Sequence, residues 1–487
     1  MAEHSADVIV VGGGGSGLAA AIEAAAGGAK TILLEKNPDL GGTTAWSVGS
    51  ITATRTPHQR AAGVEDSPQE HFDDMPLFAP QFPGRDNPVL RKILTDNVPE
   101  TVEWLMSLGV EFFGPNPEPP HKKPRMHNVL PNSRSYIHHL AKEARRQGVE
   151  IRTAARVEKL LTEDGRVTGV AVEGGDTYRA KRGVVLASGD FTSSPELKAK
   201  YISDIAAKIS AVNPTSTGDG QTMALALGAK VLNGDLTLGP EIRFLPPEKQ
   251  TLLKRLPPSR WLARFIKLSM KYMPDALLRP FVMGFLTTAL APARPLFDAG
   301  VLIDKEGARV EFGEEGPAMG LAHHPDMIGY IVLDKRAAER FSSWPNFIST
   351  APGVAYAYFE DYRKNRKDVF AEGASLAELA DRIGVPLETT KAAIDAHNAT
   401  LPQGEAIAQP PFYALGPMKS YIVISEGGLA VDPQLRVLGS DDKPIPGLYA
   451  AGSTGQGGLL LEGHGHHLGW AFTSGRIAGR NAANAAI

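Results

Sequence analysis

Gly12, Gly14 and Gly17 spell GxGxxG, and the acid Glu35 closes the next apolar run. The first glycine permits a tight turn, the second lets the backbone approach a diphosphate, and the third lets helix and strand pack closely. A diphosphate in that turn meets free N–H groups at the start of the following helix. A carboxylate at the Glu35 position accepts hydrogen bonds from ribose hydroxyls. The residues assigned to this end are Gly12, Gly14, Ser16, Gly17, Glu35 and Lys36. GxGxxG alone is a weak signal; with strand, helix, second strand and acid in order it predicts dinucleotide binding.

A second stretch with chemical potential is GLLLEGHGHHLGW at 458–470, which gathers Glu462, His464, His466 and His467. Metal ligation is one reading, but histidines separated by glycines are poorly preorganised and the sequence offers no other ligand cluster, so no metal is assigned. Acid–base or oxyanion work by one imidazole is another, since a reference pKa of about 6.5 suits proton transfer at neutral pH. Structural hydrogen bonding is the third.

Several elements must position these groups. Residues 7–11 form a β-branched run, as a strand buried on both faces requires. An alanine-rich helix former and the short strand TILLE follow, which completes a βαβ unit. Residues 140–147 read as a helix, 149–173 as strands turning at Asp164-Gly165, 182–187 as a buried strand, and 218–228 as a helix. From about Asn233 the texture changes to Pro, Arg and large apolar side chains, and 335–415 looks helical and polar. Strand-and-glycine texture returns at GGLAVD and ends in a small-residue helix. The predicted fold class is α/β, a Rossmann-like nucleotide domain built from both chain ends (1–234 and 421–487), interrupted by an inserted α+β cap (235–420).

The chain's 487 residues exceed one compact core. A formal net charge of −3 gives no reason to expect nucleic acid as a partner. With no Cys, disulfides, thiolate chemistry and cysteine-held clusters are excluded. The N-terminus lacks a basic leader, and the most apolar stretch, 281–291, is shorter than the roughly twenty residues a bilayer needs. A cytoplasmic protein is the expectation.

Several further segments are similar to the FAD-dependent fumarate reductase / succinate dehydrogenase flavoprotein family, including its 3-ketosteroid dehydrogenase branch. They are EKNPDLGGTTAWSVGS at 35–50, LASGDF at 186–191, TGDGQTMALALGAK at 217–230, GVLIDKEGARV at 300–310, PPFYA at 410–414, GGLAVD at 427–432 and IPGLYAAGS at 445–453. They occur in the family's order across nearly the whole chain. The resemblance implies FAD, with Gly41, Gly42, Thr43 and Thr44 following the diphosphate toward the flavin. It makes Gly189 and Asp219 further cofactor contacts. Gly452 and Ser453 would approach the ribityl chain, and the backbone at Leu468 would face the pyrimidine edge. Members with covalent FAD carry a His where Thr43 stands here, so non-covalent FAD is expected. Ser453 replaces the usual Glu.

The resemblance also exposes a gap. Fumarate reductases clamp two carboxylates with His and Arg, and at the aligned positions this chain has Pro317, Val423, Ile424 and His467. Bidentate binding of carboxylates needs guanidinium groups. The remaining residues suit a small apolar carbonyl substrate, as in the ketosteroid branch, where tyrosines abstract the α-proton and polarise the ketone while flavin takes the hydride. Tyr421 and Tyr413 are the candidates, with His467 first among the histidines and His464 and His466 behind it. Trp46 is a candidate wall; His323, His324 and Tyr330 are weaker. The expected activity is desaturation of a cyclic or steroid-like ketone with an unknown electron acceptor. The alternatives are an enone or enoate reductase and an FAD protein without turnover. Segment 252–290, apolar on one face and basic on the other, reads as a lid over the substrate, a peripheral membrane contact or an oligomer interface, the cap location favouring the lid.

Overall fold

The computed structural model describes residues 2–247, 256–272, 279, 283, 284, 286–288, 290–351, 355–402 and 405–486. In chain order, the elements that build the site begin with β1 (Glu3–Val11), α1 (Gly15–Ala26), β2 (Thr31–Leu34) and α2 (Gly42–Trp46). Next come β3 (Glu150–Arg152), β4 (Val157–Glu163), β5 (Arg166–Val172) and β6 (Thr177–Leu186). The middle of the chain supplies β7 (Glu241–Phe244), α3 (Arg260–Tyr272), β8 (Val301–Asp304), α4 (Pro317–Ala322), β9 (Ile328–Leu333), β10 (Phe370–Gly373) and β11 (Phe412–Ile422). The last segment supplies β12 (Arg436–Leu438), β13 (Pro444–Ala450) and α5 (His466–Ala483).

The first sheet runs β12-β13-β6-β1-β2-β3, and the β4–β5 hairpin joins it at β6. From β13 to β3 the strands are parallel, as a βαβ start dictates. The hairpin turns at Asp164 and Gly165, both at positive φ, the backbone that a two-residue hairpin turn demands. Because β13 inserts beside β6, the two chain ends share one sheet. They also share a helix pair: a Cβ on Gly475 would lie 2.3 Å from Ser16 O, and one on Gly479 2.2 Å from Ala20 O. The small residues of α5 therefore let its backbone touch α1. Arg476 and Arg480 then ion-pair with Glu23 of α1.

One hydrophobic core takes residues from 6 to 229 and 429 to 483, and a second takes residues from 242 to 418. The second surrounds β11, which pairs antiparallel with β7, β9 and β10 and, at its end, parallel with Ser210–Ala211. β8 extends the sheet beyond β9. The helix read at 140–147 starts earlier, at Arg134, because Tyr136, Ile137, Leu140, Ala141 and Ala144 form one buried stripe. The polar helices expected over 335–415 are present, but β10 and a short hairpin at 349–357 interrupt them. Of segment 252–290, residues 252–255 and most of 273–289 lie outside the described residues. Met283 and Leu286 belong to the second core.

Candidate active site

A cleft with about 790 Å³ of atom-free space, open mouth included, lies at the carboxyl ends of β1, β2 and β6. That is where parallel α/β sheets bind ligands. Gly12 has φ +111°, and a Cβ there would lie 2.3 Å from Ala187 O; one on Gly17 would lie 1.9 Å from Gly12 O. These two glycines serve the strand–helix contact. Gly14 differs: the nearest atom to its imagined Cβ is Gly41 O at 3.8 Å, so the missing side chain leaves room in the cleft. The N-cap Gly14 offers no side chain to cap α1; Gly15 N donates to Thr44 Oγ1, and the amides of Ser16 and Gly17 that follow it are left for an anion.

Glu35 is buried, with Oε2 accepting from Gly13 N (2.6 Å) and Oε1 from Asn37 N and Nδ2 (2.8 and 2.9 Å). The carboxylate is thus oriented and keeps an acceptor position for a ribose hydroxyl. Lys36 Nζ donates to Asp219 (2.7 Å) and to Thr217, and Arg156 reaches the other Asp219 oxygen at 3.1 Å. Burial alone would raise Asp219; Lys36, Thr217 and Arg156 outweigh it and hold the carboxyl below its usual range.

Toward the other end of the cleft, Thr44 Oγ1 accepts from Gly15 N (3.2 Å) and Thr43 Oγ1 from Asn213 (2.9 Å). Gly189 lines the wall, its carbonyl accepting from Gln221 and Thr454, each at 2.9 Å. Gly42, Ser453 and Ala471 complete the wall; Gly41 stands behind Gly42, and Gly452 lies against Ser16, whose Oγ would be 2.7 Å from an added Cβ. The Leu468 side chain belongs to the core rather than the wall. Its amide is in the uncapped first turn of α5, whose N-cap is Gly465. An extended cleft with free amides at one end, an oriented acid for ribose and hydroxyl-rich walls fits FAD.

The histidines of the 458–470 loop, read together in the sequence, point to three different places. His464 places Nδ1 2.6 Å from Glu118 Oε1, which also accepts its backbone N at 2.7 Å. That pairing raises the imidazole pKa against the opposing effect of burial. His467 Nε2 lies 2.9 Å from Glu426 Oε1, close but off the hydrogen-bonding axis. Glu426 is 2% exposed, and its other oxygen accepts from Gln456 and from Leu461 N. Its charge adds to burial in raising both Asp86 and Glu462.

His466 turns the opposite way. Its Nδ1 donates to Glu462 O (2.6 Å) and its Nε2 lies 3.2 Å from His71 Nε2. His71, His121 and His466, all buried, bring ring nitrogens within 4.8 Å of one another. The sequence showed no such cluster because His71 and His121 are far away in the chain. The surroundings disfavour a cation: Arg125 donates to His121 Nδ1 at 2.9 Å, which puts the His121 proton on Nε2. Neither His121 nitrogen then offers a free lone pair. Burial holds all three imidazoles neutral, His121 down to about 2.

The two tyrosines also part. Tyr421 sits at the end of β11, paired with Glu241 and Ser210. Burial raises its phenol, and Arg243 partly offsets this. Glu241, which contacts Arg243, also acts on His464, so Tyr421 and His464 share a neighbourhood. Tyr413, eight residues back along the strand and so roughly 25 Å away, is buried in the cap core against Phe359 and Phe370. The structure thus separates Tyr413, packed in this core, from Tyr421. Trp46 is 60% exposed, and His324 pairs with Asp304 inside the cap. The sequence reading missed Glu426, Glu118, Arg243, Arg156 and Asn213. Only Glu426 carried a signal, an acid directly before the GG of GGLAVD.

The cleft at the carboxyl ends of a parallel sheet defines a dinucleotide-binding fold. The chain matches the FAD binding domain family over residues 7–250 and 281–460. A probable fumarate reductase of Shewanella frigidimarina is 25% identical over 492 residues, 94% of this chain and 71% of that protein. The open conformation of a flavocytochrome c3 fumarate reductase superposes with TM-score 0.74 at 24% identity, over 99% of this chain and 78% of that one. A 3-ketosteroid-Δ4-(5α)-dehydrogenase from Rhodococcus jostii does so with TM-score 0.61 at 24% identity, over 99% and 98%. At these identities the two superpositions show the shared fold alone. The chain belongs to the FAD-dependent fumarate reductase / succinate dehydrogenase flavoprotein family and is an oxidoreductase acting on carbon–carbon double bonds. Among the described residues, no helix is long and apolar enough to cross a membrane.

Proposed function

We propose that the enzyme removes hydrogens from the α and β carbons of a cyclic or steroid-like ketone. One observation carries this reading: where a dicarboxylate clamp needs a guanidinium, His467 stands 2.9 Å from the buried carboxylate of Glu426. Asp86 and Glu462 lie within reach of the same charge. A fumarate dianion would be brought beside three carboxylates, and Arg91, which is near them, is already paired with Asp86. Burying an unpaired charge there is costly. Val423 and Ile424, at the positions of the family's His pair, are apolar, and Pro317 opens α4 where the cap Arg would stand.

FAD, held non-covalently in the cleft with Thr43 in place of a tethering His, would supply the hydride acceptor. Glu35, Lys36 and the first amides of α1 would hold its adenosine diphosphate half, and Thr43, Thr44, Ser453 and the first turn of α5 the rest. Tyr421, a phenol protonated at neutral pH and pushed further up by burial, donates a hydrogen bond to the ketone oxygen and polarises the α-carbon. His467 takes the α-proton, and Glu426 stabilises the imidazolium that forms. His464, whose protonated form is favoured by Glu118, would lend positive charge near Tyr421 for the developing enolate. Anaerobic mixing with a panel of cyclic ketones, enoates and dicarboxylates tests the proposal. Ketones should bleach the flavin absorbance; bleaching by none of them, with reduced enzyme reoxidised by fumarate, refutes it.

A further inference from the structure

Helix α3 is inside out. Trp261, Phe265, Leu268 and Tyr272 are spaced to fall on one helical face, and they are 80, 67, 57 and 71% exposed. The charged residues lie on the flank beside it, and that flank docks on the body of the protein. Arg260 Nε and Arg264 Nε share Glu111 Oε1 at 3.0 and 2.9 Å, Lys267 Nζ lies 3.0 Å from His58 Nε2, and Ala263 is buried between them. An ordinary surface helix turns its apolar stripe inward. The described apolar face points to solvent; most of the remaining segment read as a lid lies outside the described residues.

The charge around this face selects its occupant. Among the described residues, Arg260, Arg264 and Lys267 flank it against one acid, Glu111, in a chain whose formal charge is −3. Arg260 and Arg264 remain about half exposed despite their pairing with Glu111. Pairing this face with a second copy would bring two cationic rims together. An anionic surface meets the rim favourably, and Trp and Tyr are the side chains that settle at the headgroup level of a bilayer. A helix of 13 residues spans about 20 Å, too short to cross and suited to lying in the interface.

We propose that α3 lays the enzyme flat on an anionic phospholipid surface, with Trp261, Phe265, Leu268 and Tyr272 inserted at headgroup depth. The proposal stands independently of the substrate. FAD-loaded enzyme should float with phosphatidylcholine vesicles containing phosphatidylglycerol, and far less with phosphatidylcholine alone. Binding should weaken with added salt, as rim cations are screened. Trp261→Ser and Phe265→Ser should each lower partitioning about tenfold, with melting temperature and flavin content unchanged because both side chains are exposed. Brominated lipid should quench a fluorescence component that Trp261→Phe removes. Wild-type enzyme that stays with the aqueous phase at low salt overturns the proposal. So does a dimer in sedimentation that the same substitutions dissolve, which assigns the face to a second copy.

Discussion

Gly14→Ala separates the cost of ligand exclusion from the cost of misfolding. Gly14 has φ −81° and ψ −171°, a region open to any L-residue, and nothing lies closer to the added methyl than Gly41 O at 3.8 Å. The FAD-free protein should tolerate the change and gain about 0.4–1 kcal/mol from a stiffer unfolded chain. The methyl occupies the space assigned to the diphosphate, and overpacking of that kind costs about 1–3 kcal/mol. FAD affinity should fall about 5- to 150-fold. Gly17→Ala is the control: its contact with Gly12 O must open from 1.9 Å to the 3.4 Å of ordinary packing, so the FAD-free protein itself should melt earlier. The assays are thermal melting of FAD-free protein and titration with FAD followed by flavin fluorescence. Wild-type affinity in Gly14→Ala would refute the placement of the diphosphate at this turn.

Trichloroacetic acid precipitation should leave the yellow flavin in the supernatant, since Thr43 offers no nucleophilic ring nitrogen; colour retained in the pellet would contradict non-covalent binding. His467→Ala and Tyr421→Phe should each lower kcat about 10²- to 10⁴-fold while flavin content stays constant, whereas Tyr413→Phe should change melting temperature and leave kcat alone. Stability should fall steeply in acid. His71, His121 and His466 are neutral in the fold, their pKa values depressed by burial, so below about pH 6.5 the unfolded chain binds up to three more protons. The slope then reaches at most about 4 kcal/mol per pH unit, and His121→Phe should flatten it in melting curves recorded from pH 4 to 7. His464 has the opposite sign. Its pKa is raised, first by the Glu118 hydrogen bond, so its contribution is present below about pH 6.5 and lost as pH climbs through the raised value. Glu118→Gln should abolish that alkaline loss, with no large effect because the ring is half exposed.

The nucleotide end was legible because its chemistry is written in backbone requirements. Gly12 needs a positive φ, Gly17 needs the absence of a Cβ, and Glu35 must stand where the next strand ends; all three demands act within one βαβ unit, so spacing reports them. The cap was legible only as a change of texture. Its central strand β11 pairs with partners from residues 210, 241, 328 and 370 onward, and no local pattern records pairings at such separations. Tyr413 shows the cost. It lies in the same strand as Tyr421, but strand geometry puts the two roughly 25 Å apart, so a shared strand never meant a shared site.

The loop at 458–470 fails for a different reason. His466 and His467 are the first two residues of α5, and each step along a helix rotates the side chain by about 100°. One ring therefore enters the buried cluster with His71 while its neighbour faces Glu426. His464, still outside the helix, takes Glu118. The sequence shows three histidines within four positions and suggests one cooperative group. The fold makes them a structural imidazole, a candidate base and a carboxylate-paired imidazole, each with a partner distant in the chain. The partners carry the meaning: in the proposed scheme Glu426 makes His467 a base, and Arg125 occupies the Nδ1 lone pair of His121. Replacing Glu426 by Gln should therefore damage turnover as His467→Ala does, although Glu426 itself does not touch substrate in this scheme.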